Sequence, residues 1–384
     1  MFRRCQIAAL VLSSSLALIP DDVGAVGAYQ CPRQPARSFL PGSETRIGEG
    51  SPPCRIEFRE TGVRLKGVAD GSHPDPGRTV VLDSNGRYIT ANAPGWVGVI
   101  SLWDSTGGYL SSFGTVGQGP GEFTVRGMMN LFVDRRDNLH VMDGGFIWSV
   151  FSPEHEFLRS TSAYSITGFE VSTVMLDDGS VLTSESARDR SLYFRVVDTT
   201  GAVQRTFAPV EDEALEWGLR PIAYAGGDTF WAAPPIEGGD AYVLEEWGVD
   251  GELRRTLRRE APWYRWAGYS EISPAVSRLH VTSDGLLYVL VRRPTEAYRT
   301  EFERARRRGE FVAREARDGL TDVLFEVIDA RSGELLASDL HPATQARQFV
   351  PRALFRGSLT GYRYKESDDG LPFVEIVTLE LVPR

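Results

Sequence analysis

A strand–turn–strand pattern recurs along most of this chain and constrains its fold more than any other feature. Short runs of alternating apolar and polar residues are separated by turn residues, and helical periodicity is nearly absent. Two consecutive hairpins, as in residues 79–113, make a meander of four strands. Similar copies follow, with first-hairpin turns near residues 86, 137, 179, 227, 285 and 370. Repetition of this kind predicts an all-β fold built from similar sheets.

The two ends of the repeat region are complementary. The last copy has sequence for only three strands, whereas strand-like residues 54–60 and 63–66 precede the first copy. The simplest explanation is that this N-terminal strand completes the last sheet and closes the chain into a ring. Six four-stranded antiparallel sheets in a ring form a six-bladed β-propeller, which leaves only short, protected sheet edges. We therefore predict such a propeller over residues 54–384.

One segment interrupts the repeat. The spacing between the fifth and sixth turns is the longest, and residues from about 295 to 318 are the only helical stretch in this region. Phe302, Ala305 and Phe311 could share one apolar side of a helix. Because the segment lies between the two hairpins of blade five, we expect a short helical insertion that projects from one face of the ring.

The first residues have the three-part layout of a secretory signal. A basic start at residues 1–4 precedes an apolar run at residues 7–19 and small residues at 26–28. The run is shorter than the roughly 20 apolar residues of a secure membrane span. We expect residues 1–28 to be a signal peptide, with an uncleaved anchor as the alternative, and no transmembrane segment after it. The mature protein would then be periplasmic or secreted.

Loss of the signal leaves two cysteines, Cys31 and Cys54, in a chain destined for an oxidising compartment. They flank most of an N-terminal arm, residues 29–53, that is rich in proline and glycine and looks unable to fold by itself. A disulfide between them would clip this arm to the rest of the protein. Two free thiols are the alternative.

Charge and composition narrow the range of partners. The 384 residues carry a formal net charge of −10, and 42% of them are apolar, which suits a soluble globular protein with a core. An acidic protein is not typical of those that bind nucleic acid or an anionic membrane. We therefore expect neither partner.

The second copy carries a recognisable motif. Residues 113–160 resemble an NHL repeat, and about residues 54–384 resemble the bacterial six-bladed β-propeller family. The matching residues are Phe113, Gly114, Gly117, Gly119, Pro120, Gly121, Phe123, Val133, Asp134, Asn138, Val141, Met142, Asp143, Val150 and Phe151. The resemblance implies the propeller fold. NHL-type propellers include peptide and protein binders, lyases and calcium-dependent lactonases, so it implies no single chemistry.

The glycine-rich stretch GTVGQGPGEF, residues 114–123, lacks the context of a phosphate-binding loop. A Walker loop ends in Gly-Lys-Ser/Thr, whereas here Gly121 is followed by Glu122 and Phe123. A dinucleotide fingerprint needs a helix after the loop, and here strands are expected on both sides. We interpret the stretch as the connection between the first and second blades.

Aligning the copies on their first turns places Asn92, Asp143 and Glu185 at the same position. Three polar or acidic side chains at one level could face one site in the channel, and such oxygen ligands suit Ca²⁺. In the alternative interpretation they cap strand ends, and the corresponding positions of blades four to six are apolar. We therefore expect no resident cofactor, with Ca²⁺ as the alternative.

The insertion supplies the second candidate site. Arg292 and Arg293 lie at its start, and residues 292–318 carry nine arginines against six acidic residues. A stretch with this charge could be a lid or docking arm for an anionic ligand. A solvated helix with i, i+4 ion pairs is the alternative.

Together these patterns predict an exported, monomeric propeller that binds an unidentified small molecule or protein partner through one face, rather than an enzyme. No histidine lies in a motif with an obvious nucleophile, and no Gly-x-Ser-x-Gly elbow is present. One alternative is a metal-dependent propeller enzyme, a lactonase, another hydrolase or a lyase, with its site in the channel. The other is a cell-envelope scaffold.

Overall fold

The computed structural model describes residues 31–48, 50–66, 73–74, 80–93, 99–124, 130–144, 146–162, 172–186, 192–210, 220–234, 240–264, 274–310, 321–341, 349–350, 360–367, 370 and 372–384. Within these ranges β-strands account for nearly all regular structure, and one α-helix is present. The predicted all-β fold is therefore confirmed. The predicted signal peptide, residues 1–28, lies outside the described residues.

In chain order the elements are β1 (Ser43–Ile47), β2 (Cys54–Leu65), β3 (His73–Pro74), β4 (Val80–Leu82), β5 (Tyr88–Ala93), β6 (Ile100–Trp103), β7 (Tyr109–Phe113), β8 (Asn130–Val133), β9 (Leu139–Met142), β10 (Ile147–Phe151), β11 (Phe157–Ser162), β12 (Ser172–Met175), β13 (Val181–Ser186), β14 (Leu192–Val197), β15 (Val203–Val210), β16 (Ile222–Ala223), β17 (Thr229–Ala232), β18 (Ala241–Gly248), β19 (Leu253–Glu260), β20 (Ala275–Val281), β21 (Leu286–Pro294), α1 (Glu296–Arg308), β22 (Thr321–Asp329), β23 (Glu334–His341), β24 (Phe349–Val350), β25 (Thr360–Glu366) and β26 (Pro372–Pro383).

The strands form successive antiparallel meanders of four strands, as the repeat predicts. Sheets 1 to 5 are β4–β7, β8–β11, β12–β15, β16–β19 and β20–β23. Sheet 6 consists of β24, β25, β26 and the N-terminal strand β2, which pairs antiparallel with β26. A single parallel pair, Cys54 with Ala337, joins sheets 5 and 6. The short strand β3, which the sequence did not indicate, pairs with β5 of sheet 1.

The hairpin turns follow the turn residues of the sequence. At the first turn of sheet 1, Gly86 adopts a φ of 75°, which L-residues rarely adopt. In sheet 2 the corresponding residue is Asp137, with a φ of 61°. Its carboxylate accepts the backbone N–H of Ser84 at 3.0 Å, so this turn also binds the first turn of sheet 1.

Buried apolar side chains lie in clusters between neighbouring sheets. Separate clusters join sheets 1 and 2, sheets 2 and 3, sheets 3 and 4, sheets 4 and 5, and sheets 5 and 6. A sixth cluster contains Leu65 and Ile376 of sheet 6 together with Val80 and Trp103 of sheet 1. The first and last sheets therefore share a core.

Residues 31–47, here called the N-terminal strap, run along sheets 4 to 6. Cys31 and Cys54 are joined as a disulfide, and Arg33 pairs with Asp329 at 2.6 Å and Asp284 at 2.8 Å. Strand β1 adds in parallel to β19, at the outer edge of sheet 4. The strap, which includes most of the predicted N-terminal arm, is held by these contacts with the sheets.

Helix α1 lies in the insertion predicted within the fifth sheet, between β21 and β22. It begins after Thr295, whose side chain accepts the N–H of Tyr298, and ends at Gly309 with a φ of 68°. Residues 311–320 of the insertion lie outside the described residues. No helix of the described chain is both long and apolar enough to cross a membrane.

Candidate functional site

The described part of the predicted channel site is Asp143, which directly follows β9. One carboxylate oxygen accepts the N–H of Thr124 at 2.8 Å, and the other accepts the N–H of Ile147 at 3.1 Å. The side chain is buried, so these bonds satisfy groups that water cannot reach. The carboxylate therefore holds the loop before sheet 2 and the turn between β9 and β10.

The other two residues of that prediction are described only in their backbone. Asn92 lies in β5 opposite Pro74, and Glu185 lies in β13 opposite Tyr193. Both strands are the second of their sheet, like β9, but these two side chains lie outside what the structure describes. Among described side chains, no group of three or more histidines, cysteines, aspartates or glutamates could hold a metal ion.

The glycine-rich stretch folds around its own acidic side chain. The carboxylate of Glu122 accepts the N–H of Gly119 at 2.6 Å, and a Cβ at Gly117 would collide with the same carboxylate. Phe123 is buried in the cluster between sheets 1 and 2. A carboxylate in this place would repel a phosphate, which agrees with the interpretation of the stretch as a connection.

The buried histidine of sheet 2 is part of a structural hydrogen-bond chain. Trp148 donates its indole N–H to Nδ1 of His140 at 3.0 Å, and Nε2 of His140 lies 3.2 Å from Asp134. Burial alone would raise the pKa of Asp134, but hydrogen bonds from His140, Asn138 and Arg136 outweigh it and lower the pKa to about 2. All three groups are satisfied within the sheet.

A surface pocket of the described chain lies at the base of helix α1. Its volume is about 490 Å³, and it lies between the end of β21, the first turns of α1 and the connection from β19 to β20. The lining residues are Pro262, Trp263, Pro274, Arg293, Pro294 and Arg299. The pocket therefore combines rigid apolar rings with two guanidinium groups.

The arginines predicted at the start of the insertion take different positions. Arg293 places its guanidinium over the indole of Trp263, 4.7 Å from the ring centre. Arg292, one residue earlier, is exposed and does not line the pocket. The pocket thus includes one of these two residues and adds Arg299 from the helix.

A tight turn fixes the position of Trp263. The N–H of Tyr264 bonds to the carbonyl of Ala261 at 2.7 Å, and the N–H of Ala261 bonds to the carbonyl of Asp240 at 2.6 Å. The buried hydroxyl of Tyr264 accepts the N–H of Val276 at 3.3 Å. Burial also raises the pKa of Tyr264, so the phenol stays protonated. Trp263 is therefore preorganised by a buried neighbour.

A buried polar network extends from this turn into the space between sheets 4 and 5. The ring of Tyr264 lies 5.5 Å from that of Tyr242, whose hydroxyl donates to Glu326. Ser338 donates to the same carboxylate at 2.9 Å, and Arg259 lies 3.4 Å from it. A buried carboxylate with these partners is satisfied, and the network stiffens the packing between sheets 4 and 5.

The exposed side of helix α1 carries ion pairs at spacing i, i+3. Glu296 pairs with Arg299 at 3.7 Å, Glu301 pairs with Arg304, and Glu303 pairs with Arg306 at 4.0 Å. The sequence interpretation anticipated i, i+4 pairs. Pairs between exposed side chains contribute little stability, so they leave these arginines available to other partners.

Comparison with known proteins identifies similar folds without a similar sequence. No family model and no curated protein matches this chain. A protein described as exported, from Bacteroides fragilis, aligns with a TM-score of 0.50 at 12% identity, over 90% of this chain and 100% of its own. The match at this identity concerns the fold.

Two further solved structures align less closely. The hydrazine synthase of Kuenenia stuttgartiensis gives a TM-score of 0.42 at 13% identity, over 70% of this chain and 65% of its own, just under two thirds. A catalytically inactive virginiamycin B lyase from Staphylococcus aureus, with quinupristin, gives 0.43 at 10% identity, over 85% of this chain and 100% of its own.

Proposed function

We propose that this protein is an exported, monomeric six-bladed β-propeller of the NHL-like type that binds a ligand at the surface formed by sheet 5 and helix α1. Six meanders, each sharing a buried cluster with the next and the last with the first, support a closed ring of six blades. The signal-like N-terminus and the similarity to a protein described as exported support a periplasmic or secreted location.

The observation that carries the binding role is the insertion of α1 into an otherwise regular hairpin. Strands β21 and β22 stay in register up to the pair Pro294 and Thr321. A two-residue turn could close such a hairpin. Instead the chain leaves the sheet, forms a capped helix and returns, and the helix borders the pocket of Trp263.

The helix contributes little to the core. Its buried residues are Tyr298 and Ala305, Phe302 is half-buried beside Tyr298, and most of the other helix residues are polar and exposed. Most helical stability in proteins comes from packing of an apolar face. A helix that buries two side chains, yet is capped at both ends, is better explained by recognition than by stability.

Excision of the insertion tests this proposal. Residues 295–320 would be replaced by Asn-Gly, which suits a two-residue hairpin. A thermal-shift panel of small carboxylates, phosphates, sugars and short peptides would be applied to wild type and variant. We expect compounds that stabilise only the wild type, while circular dichroism and the unliganded melting temperature stay similar. Compounds that stabilise both proteins equally would place binding elsewhere and overturn the proposal.

The same proposal predicts no tight calcium site in the channel. Both carboxylate oxygens of Asp143 already accept backbone N–H groups, which leaves this residue poorly suited as a ligand. Calorimetry with calcium chloride should therefore give no tight stoichiometric binding. Tight binding that Asp143→Asn and Asp143→Ala both abolish would favour a metal-dependent propeller enzyme instead.

A further inference from the structure

The pocket at the base of α1 has walls that favour a flat apolar ligand. Three prolines and the indole of Trp263 supply most of the lining, and prolines lose no side-chain entropy when a ligand packs on them. A volume of about 490 Å³ is that of a small-molecule site. The turn at residues 261–264 holds the indole in place before any ligand arrives.

Arg293 presents unused hydrogen-bond donors at this apolar wall. Its guanidinium lies over Trp263 in a cation–π contact, and the ring offers no oxygen acceptor to its N–H donors. Arg293 forms no hydrogen bond or ion pair with any other described residue, although Asp322 lies opposite it in the β21–β22 register. The cation–π contact therefore fixes the position of an arginine without neutralising it.

Arg299 brings a second positive charge to the same pocket. Its side chain is 54% exposed, and its described partner is Glu296, which is 84% exposed and 3.7 Å away. An exposed pair at this distance is weak and readily exchanged. A ligand anion could thus take over Arg299 at little cost.

The carboxylate is the anion that best matches this arrangement. Guanidinium groups bind carboxylates through paired, charge-assisted hydrogen bonds, and two of them at one pocket suit one such group. The remaining wall is apolar and favours burial of a ring beside the charge. We propose that this pocket binds a carboxylate carried on a flat apolar ring, an inference that rests on the proposed binding role of the same surface.

The test uses 2-naphthoate as the probe and calorimetry as the measurement. We expect one site per chain, with little or no binding of the neutral 2-naphthamide. Arg293→Met should weaken naphthoate binding about tenfold or more, since it removes charge-assisted hydrogen bonds. Trp263→Leu and Arg299→Gln should also weaken it, and Arg293→Lys should give an intermediate loss because the charge remains without the planar fork.

Arg304→Gln is the matched control. Arg304 lies on the same helix, pairs with Glu301 and does not line the pocket, so naphthoate affinity should not change. Equal binding of naphthoate and naphthamide, or unchanged affinity in Arg293→Met, would overturn the proposal. Displacement of naphthoate by inorganic phosphate at similar concentration would also overturn the assignment of a ring-borne carboxylate.

The outcomes separate this inference from the proposed function. If the variant lacking residues 295–320 no longer binds the panel compounds while Arg293→Met binds them normally, the proposed binding surface is supported and the proposed ligand class is wrong. If the excised variant still binds all of these compounds, the proposed surface itself is wrong. Circular dichroism identifies any variant that fails to fold. If Arg293→Met is such a variant, Arg293→Lys replaces it in the test.

Discussion

Aspartates hold many of the hairpin turns in this protein. Asp104 accepts the N–H groups of Thr106 and Gly108, and Asp198 accepts those of Thr200 and Ala202, the same offsets in both turns. The hydroxyl of Thr200, followed by these backbone bonds, lowers the pKa of Asp198 to about 2. The turns therefore depend on ionised carboxylates, because a protonated one accepts such bonds more weakly.

Among single residues, Asp134 gives the clearest prediction. Its pKa is about 2 in the folded protein and about 3.9 in an unfolded chain. A carboxylate whose pKa is lowered in the folded protein stabilises the fold at pH values above its pKa in the unfolded chain. This contribution disappears as the pH falls from about 4 to 2. Asp134→Asn should lower the free energy of unfolding by about 1–2 kcal/mol at pH 7 and flatten its decline below pH 4. Urea titrations at pH 7, 4, 3 and 2 measure both effects.

Asp228→Asn is the control for that experiment. Asp228 is exposed, and its carboxylate has no hydrogen-bond partner among the described residues. This variant should follow the wild-type curve within a few tenths of a kcal/mol. Parallel wild-type and Asp134→Asn curves between pH 4 and pH 2 would contradict the assigned pKa.

Among the secondary-structure elements, helix α1 depends for its stability on the glycine that ends it. Gly309 adopts a φ of 68°, and its N–H bonds to carbonyls of the last turn. Gly309→Ala should destabilise the helix by about 1 kcal/mol, because alanine is strained in this left-handed conformation. The melting temperature of the whole protein should hardly change, since the helix is barely packed. Hydrogen exchange at residues 296–308 should become faster, whereas Arg306→Ala in the same turn should have a smaller effect.

The N-terminal strap is the second element with a clear prediction. Cys31 and Cys54 are both buried, and the strap between them is held by Arg33 and by the ring of Phe39, which lies against the guanidinium of Arg255. Replacing both cysteines by alanine should lower the free energy of unfolding by about 3 kcal/mol in the chain-entropy model. Hydrogen exchange should increase in the strap and in β19, which it covers.

A double cysteine variant with wild-type stability would contradict this role of the disulfide. Arg33→Met provides an independent comparison. It leaves the disulfide intact but removes the closer of two arginines, Arg33 and Arg331, that pair with Asp329, a carboxylate with no exposed surface. Burial alone would raise the pKa of Asp329, and the bond from Arg33 helps to lower it. The variant should therefore be destabilised, because a buried charge loses its 2.6 Å partner and keeps only the longer pair with Arg331.

For the molecule as a whole, the alternation of apolar and polar residues, together with the turn residues, made the sheets predictable. The sequence indicated two strand segments at 54–60 and 63–66, and the structure has one strand whose register shifts between Glu60 and Arg64. Such a bulge has no signal in alternation alone. The strap was not predictable, since Arg33 bonds Asp329, which lies 296 residues further along the chain.

The candidate pocket was predictable only in part. Arg293 stands out in the sequence because it opens a basic insertion. Trp263 lies in a connection outside the repeat, and its position depends on a turn held by the buried Tyr264. No local pattern shows that this turn meets the first turns of α1. Prediction of the pocket therefore requires the fold of the non-repeating segments, whereas prediction of the sheets requires only the repeat.

Closure of the ring can be tested by one buried leucine. Leu65 has no exposed surface and packs among residues of the first and last sheets, and Leu131 is equally buried between sheets 1 and 2. If the first and last sheets join as firmly as two consecutive sheets, Leu65→Ala and Leu131→Ala should each lower the free energy of unfolding by about 2–5 kcal/mol. Each variant should unfold in a single transition in urea, followed by both tryptophan fluorescence and circular dichroism. A loss well below 1 kcal/mol in Leu65→Ala alone would mean that the ring is open at this seam.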